Sequence, residues 1–222
     1  AISELAHQRL INDEATRGEC ITIYHDRVAD ELVSRLSDVA KRKAHHQWAS
    51  SLVRQDNPES LAARIAGHFF AAGEPGRAIS HAILAAEDSE RLVAMTEAGR
   101  WYGRVIDHVE GQEKISQLQN AARCYREADF PLQAAEYYQQ LAKLVGPQKR
   151  VECQLTAATL LLRSGRFGQV REQLQELTQT LGLPRPKSSG LGRLMVVLNG
   201  IRHAAFGKQP MVTIATADPS SM

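Results

Sequence analysis

The chain has 222 residues, a formal net charge of +2 and 3 cysteines. This length is enough to bury a core in one or two domains, and the near-neutral charge does not point to a nucleic-acid partner. The cysteines at positions 20, 124 and 153 are far apart and form no CxxC pair, so we expect reduced thiols rather than disulfides or a zinc site. No signal peptide opens the sequence, and no apolar stretch reaches the roughly 18 residues of a membrane span. We therefore expect a cytoplasmic protein without a membrane span.

Residues 1–25 predict the end of a winged-helix domain. Apolar residues have helical spacing over residues 3–11, and the polar segment NDEATRG separates them from the β-like run CITIY at 20–24. A helix followed by two short strands around a loop is the outline of a winged-helix wing. Because the sequence begins with Ala1, already inside the helical pattern, we expect the chain to be part of a longer protein.

Residues 26–57 predict a pair of linker helices. Apolar residues of the first helix recur at every fourth position, at Val28, Leu32 and Leu36. Ser37 directly precedes the second helix and is expected to cap its N-terminus. In this second helix Ala40, Ala44, Trp48 and Leu52 are spaced one turn apart.

Residues 58–182 predict consecutive helices joined by short turns, in about four helical hairpins. Helix-breaking residues interrupt the pattern near 72–76, 109–113, 128–131, 145–148 and 164–168. One apolar pattern returns after 36 residues, and an interval of 20 between its first two copies predicts a long helix over about 75–94. The expected core residues of these repeats are Ala66, Phe69, Ala78, Ala98, Tyr102, Ala122, Tyr125, Ala134, Tyr138, Ala158, Leu161 and Leu174.

The repeat interval is close to that of the tetratricopeptide repeat, which is about 34 residues. Small residues such as Ala122 and Ala134 would let two antiparallel helices approach closely, and larger residues would fill the space between them. We therefore predict an all-α fold, a tetratricopeptide-like helical-hairpin array (an α-α superhelix) preceded by the end of a winged-helix domain. A generic array of helical hairpins is the alternative.

Residues 183–208 predict a linker and a basic apolar helix of a following unit. The segment GLPRPKSSG has the composition of a linker, and residues 190–207 are apolar with a basic flank. A helix lying on a membrane surface is one interpretation. We favour a helix that packs against a neighbouring unit, because exposed apolar patches usually mark a missing partner. Residues 209–222 are expected to be a disordered tail.

The sequence contains no motif for catalysis or metal binding. The GxxxxGK[ST], GxSxG and HExxH patterns are absent. His45 and His46 are adjacent and would point about 100° apart on a helix, which is a poor geometry for sharing a metal. His68 and His81 have no carboxylate or cysteine at ligand spacing, so we expect packing or solvent roles for all four histidines. The aromatic pair in RWYGR at 100–104 could stack on a base, but Tyr102 belongs to the predicted repeat core.

The pair His25-Asp26 lies where the β-like run ends and a helix begins. The Asp26 carboxylate is placed to accept N–H bonds from the first helical turn. A hydrolytic triad would need a third member and side chains that meet, whereas neighbouring residues in such a turn point apart. We therefore expect Asp26 to be a structural cap and expect no catalytic residue in this chain.

The segment IYHDRVADEL, after a wing-like hairpin and before a helical array, resembles the methionine-histidine-aspartate motif of the signal-transduction ATPases with numerous domains. It is more similar still to bacterial versions written HDRV. These occur in multidomain proteins that join a serine/threonine kinase or a cyclase to an ATPase and a tetratricopeptide array. The segment LGLPRPKS…LGRL is similar to the one that follows the array in the kinase-linked proteins. The resemblance covers about residues 1–208.

The resemblance implies that His25 contacts the phosphates of bound ADP in the full-length parent and helps to hold that protein closed. Tyr24 stands where the family has methionine. This chain has no phosphate loop, and a lone histidine does not hold a nucleotide, because a phosphate needs several N–H groups or cations. We therefore expect no cofactor in this chain and ATP or ADP in its parent.

These patterns predict a non-catalytic regulatory scaffold of a larger, kinase-linked ATP-dependent signalling protein. A protein or peptide partner would bind the repeat array, and binding would be relayed to an upstream nucleotide-binding domain of the same chain. The alternative is a helical-repeat and winged-helix segment of an ATP-dependent transcriptional regulator. A module that reads DNA should be basic, whereas acidic residues outnumber basic ones in residues 1–24, so we expect no nucleic-acid partner.

Overall fold

The computed structural model describes residues 11–12, 22–23, 30–31, 33–180, 196, 198–201 and 203. Across this part of the chain the fold is all-α, as predicted, apart from one short antiparallel ladder. In that ladder, β1 (Ile11–Asn12) pairs with β2 (Thr22–Ile23). The ladder lies where the sequence predicts two short strands. The predicted tail at 209–222 lies outside the described residues.

Helices joined by short turns make up the rest of the described fold. They are α1 (Asp38–Leu52), α2 (Ala62–Ala72), α3 (Pro75–Arg91), α4 (Met95–Ile106), α5 (Gly111–Glu127), α6 (Pro131–Ala142), α7 (Pro147–Arg163) and α8 (Phe167–Thr180). A 3-10 turn, Glu59–Leu61, precedes α2. None of the helices in the described ranges is both long enough and apolar enough to cross a membrane.

Local sequence signals explain where several of these helices begin. Ser37 caps α1 as predicted, because its hydroxyl accepts a hydrogen bond from the Ala40 N–H at 3.2 Å. Helices α3, α6 and α7 each begin with a proline, namely Pro75, Pro131 and Pro147. Proline suits this first position because its missing N–H would have no partner within the helix.

One type of turn recurs along the helices. Gly73, Val93, Asp129 and Gly165 all have positive φ, and the last three are spaced 36 residues apart. At Asp129, for example, the Phe130 N–H donates to the Tyr125 carbonyl at 2.8 Å. This pattern is the Schellman motif, in which a left-handed residue ends the helix and lets the chain reverse. The interval between the turns agrees with the interval of the apolar pattern in the sequence.

The chain divides into two compact units, Ala1–Leu84 and Ala85–Met222. In the first unit α1 packs against α2. The core of this unit consists of Ala49, Leu52, Ile65, Phe69 and Ala78.

Trp48 is 58% exposed, although it lies one turn before the buried Leu52 in the sequence. The face of α1 that contacts α2 is centred on Ala49 and Leu52, so Trp48 lies at its edge.

In the second unit each helix from α4 to α8 packs against the next one in the sequence. Small residues such as Ala134 and Ala158 are fully buried in its core, together with larger residues such as Leu174. The residues predicted to form the repeat core are buried in both units, except Tyr138, which is partly buried.

Candidate functional site

A groove of about 470 Å³ lies beside α7 in the second unit. Helix α7 forms its longest wall, Arg126 at the end of α5 contributes to it, and Leu198 and Asn199 complete it. The residues from α7 are Gln148, Glu152, Leu155, Thr156, Thr159, Leu160 and Arg163. Their spacing of three or four residues places them on one face of the helix. Both α5 and α7 are the first helices of their hairpins, so the groove runs along the side formed by those helices.

The groove combines an apolar floor with a polar rim. Leu155, Leu160 and Leu198 are buried and form the floor. At the rim, the Thr159 hydroxyl donates to the Leu155 carbonyl at 2.8 Å, and the Thr156 hydroxyl donates to its own helix in the same way. Each hydroxyl keeps lone pairs that can accept a hydrogen bond from a ligand.

Two arginines bring positive charge to this groove, in different environments. Arg163 is paired with the Asp129 carboxylate at 2.9 Å. Arg126 donates from Nη1 to the hydroxyl of Tyr138 at 3.1 Å, and this partner is neutral. Among the described residues, no carboxylate lies within ion-pair distance of Arg126. Arg126 therefore offers the groove a guanidinium that forms no ion pair with a described carboxylate, while Glu152 contributes a negative charge to the same lining.

A polar cluster in the second unit connects α3, α4 and α5. Arg123 Nη2 donates to both carboxylate oxygens of Glu90, at 2.7 and 2.8 Å, and Cys124 Sγ donates at 3.5 Å. Burial raises the pKa of Cys124 to about 12, with the Glu90 charge adding to the effect. Burial and the hydrogen bond to Glu90 also raise the pKa of Tyr102. The Cys124 thiol is therefore a weak nucleophile, and the cluster is structural.

Some residues that the sequence singles out are not placed in a site. His25 and Asp26 lie outside the described residues, as does most of the basic segment 190–207. The RWYGR aromatics are buried, with Trp101 and Tyr102 only 7% and 3% exposed, so their rings are not available for stacking on a base.

The structure pairs residues that the sequence did not connect. His45 Nδ1 lies 2.9 Å from His68 Nδ1, which joins α1 to α2. His46 Nδ1 lies 2.6 Å from Glu74 Oε1, so the expectation that these histidines only pack or face solvent is incomplete. The signal was hidden because the partners are more than 20 residues apart and meet only once α1 packs on α2. In the described ranges, no group of three or more histidine, cysteine or acidic side chains is arranged to hold a metal ion.

Comparison with known proteins found no match to a family model, to a curated protein or to a solved structure.

Proposed function

We propose that this chain is a non-catalytic scaffold segment that binds a protein or peptide partner in the groove beside α7. The observation that carries the proposal is an apolar floor next to Arg126, whose charge has no carboxylate partner among the described residues. An apolar side chain of a partner would contact the floor, and a partner carboxylate would pair with Arg126. Charge-assisted hydrogen bonds of this kind are stronger than neutral ones, so Arg126 would anchor the partner.

The rim of the groove suits a peptide in particular. Thr156, Thr159, Gln148 and Asn199 offer hydrogen-bonding groups along its length. A peptide backbone in an extended conformation needs partners for its N–H and C=O groups, and these side chains would supply them.

We assign the hairpins to the tetratricopeptide type, and the segment before Asp26 to the end of a winged helix. The 36-residue interval between the left-handed turns and the burial of Ala122 and Ala134 support the first assignment. The β1–β2 ladder is in keeping with the second.

We further propose that the chain is part of a larger cytoplasmic signalling protein, a kinase-linked signal-transduction ATPase with numerous domains. The motif IYHDRVADEL supports this assignment. In such a parent, His25 would sense the nucleotide phosphate, and ATP or ADP would be bound by an upstream domain. Partner binding in the groove would then be relayed to that domain.

The binding proposal is tested by panning a library of peptides displayed on phage against this chain. The groove-filling variant Thr159→Trp serves as the matched control, because Thr159 is exposed and a larger side chain there need not disturb the core. We expect selected peptides that bind the wild type and fail to bind Thr159→Trp. Peptides that bind both proteins equally would place the interaction elsewhere and overturn the proposal.

A further inference from the structure

Two ring nitrogens connect α1 to α2 in the first unit. His45 Nδ1 and His68 Nδ1 are 2.9 Å apart, which is the length of a hydrogen bond. One imidazole must donate an Nδ1–H group while the other accepts through a bare Nδ1. If both rings were fully protonated, two N–H groups would face each other and the bond would be lost. The contact therefore depends on the two rings sharing one proton at this position.

The surroundings of this histidine pair (His45 and His68) oppose a second proton. Burial lowers the pKa of His68, and the positive charges of His45 and Arg64 lower it further. The indole of Trp48 stacks on the His68 ring with 6.3 Å between the ring centroids and 19° between the planes. Trp48 therefore reports directly on the state of His68.

We propose that the histidine pair is a proton-operated contact that holds α1 against α2 while it shares one proton and releases α1 in mild acid. In this contact between α1 and α2 both partners are imidazoles, so protonation of both Nδ1 atoms removes the acceptor of the hydrogen bond. Entry of the second proton replaces a hydrogen bond with repulsion between two cations.

The direction of the pH effect follows from the lowered pKa of His68. The folded unit binds the second proton less readily than the unfolded chain, so stability rises with pH in this window. The stabilisation is complete above the ordinary histidine value of 6.5 and is lost as the pH falls through the lower pKa of the folded state.

Other titratable groups lie near this junction and act separately. Glu74 bonds to His46 at 2.6 Å and to Arg77 at 3.1 Å. The hydrogen bond from His46 lowers the pKa of Glu74, and a protonated His46 would strengthen that pair rather than weaken it. His81 stacks against Phe69, and burial followed by the charge of Arg77 lowers its pKa. The test must therefore distinguish His68 from both His46 and His81.

The fluorescence of Trp48 makes this distinction. The chain has 2 tryptophans, so Trp101→Phe leaves Trp48 as the single reporter. A protonated imidazole quenches a stacked indole, so we expect the emission to fall in acid with a midpoint below 6.5. Adding His45→Ala should shift the midpoint upward, because the neighbouring positive charge is gone. The matched control His46→Ala, on the adjacent residue of the same helix, should leave the midpoint unchanged.

Hydrogen exchange of the unmodified chain provides a second, independent measurement. After correction for intrinsic rates, the α1 amides should lose protection between about pH 7.5 and about pH 5.5, while those of α5 and α6 keep it. Equal fluorescence midpoints in Trp101→Phe and in the same protein with His45→Ala added would overturn the proposal. Unchanged protection of α1 at the lower pH would overturn it as well, even if the alanine variants failed to fold.

Discussion

The ring of Tyr125 on α5 lies so close to Gly99 on α4 that a Cβ added to this glycine would be 2.9 Å from Tyr125 Cε2. One turn later, a Cβ on Gly103 would be 2.5 Å from the hydroxyl oxygen of Tyr137. The two tyrosine rings stack with 5.6 Å between centroids and 9° between planes. The two glycines of α4 therefore leave room for a pair of stacked rings contributed by both helices of the next hairpin.

Replacing Gly99 should disturb this contact. We expect Gly99→Ala to lower the free energy of unfolding by about 1–3 kcal/mol, because the methyl group would overlap a ring that is packed on its other side. Gly67→Ala is the matched control, since Gly67 also lies inside a helix but has nothing within 4 Å of the added Cβ. It should instead raise the free energy of unfolding by about 0.5–1 kcal/mol. Urea denaturation measures both, and two changes of the same sign would contradict the described packing.

Val93 occupies a conformation that suits glycine. Its φ is 60°, which is unfavourable for a β-branched residue, and its side chain is 76% exposed. Val93→Gly should therefore raise the free energy of unfolding by about 1 kcal/mol without loss of core packing. The reverse change at the corresponding turn, Gly165→Val, should lower it by a similar amount. If thermal unfolding showed that Val93→Gly is less stable than the wild type, the conclusion that the backbone is strained at Val93 would be wrong.

The Glu90–Arg123 pair should make stability depend on acid pH. Burial alone would raise the pKa of Glu90, but hydrogen bonds from Arg123 and Tyr102 outweigh it and hold the pKa below 4.5. The carboxylate therefore contributes stability above that value, and the contribution is lost as the pH falls through the lower pKa of the folded state.

The variant Glu90→Gln isolates this contribution. At neutral pH we expect Glu90→Gln to lower the free energy of unfolding by about 1 kcal/mol, a modest amount because the Glu90–Arg123 pair is partly exposed to solvent. The difference from the wild type should shrink as the pH falls below about 4.5, when the wild-type carboxyl group also becomes neutral. Glu87→Gln, an exposed position of the same helix, should show no such trend. Urea denaturation across this pH range would contradict the account if the cost of Glu90→Gln stayed constant.

The chain alone should not bind nucleotide tightly. We expect calorimetry to show ADP binding no tighter than about 1 mM. The sequence has no phosphate loop to surround a phosphate with N–H groups, and His25 alone does not replace one. His25→Ala should leave this weak binding unchanged in the chain alone. Saturable micromolar binding of ADP would contradict this prediction.

The helix boundaries followed from local chemistry. The predicted breaks near 72–76, 128–131 and 164–168 coincide with turns, because glycine and proline act within a few residues of their own position. The turn at Val93 contains neither residue and was not predicted, because the repeat interval predicted a helix over about 75–94, whereas α3 ends at Arg91.

The contacts between helices could not be predicted in the same way. The one-turn spacing of Trp48 and Leu52 does not show that Leu52 is buried while Trp48 is exposed, because apolar spacing alone does not fix which side of an alanine-rich helix is packed. The polar residues that line the groove have the spacing of any solvated helix face. Arg126 and Thr159 line the same groove although they lie on different helices, and this placement depends on packing rather than on local sequence.

Calorimetric titration of one selected peptide is the most direct test of partner binding in the groove. The peptide is titrated into the wild type, Arg126→Gln and the matched control Arg171→Gln, whose exposed arginine on α8 does not line the groove. We expect equal affinity for the wild type and Arg171→Gln, and affinity for Arg126→Gln weakened about tenfold or more, as the loss of a charge-assisted hydrogen bond requires. Equal affinity for all three proteins would contradict the assignment of this groove as the binding site.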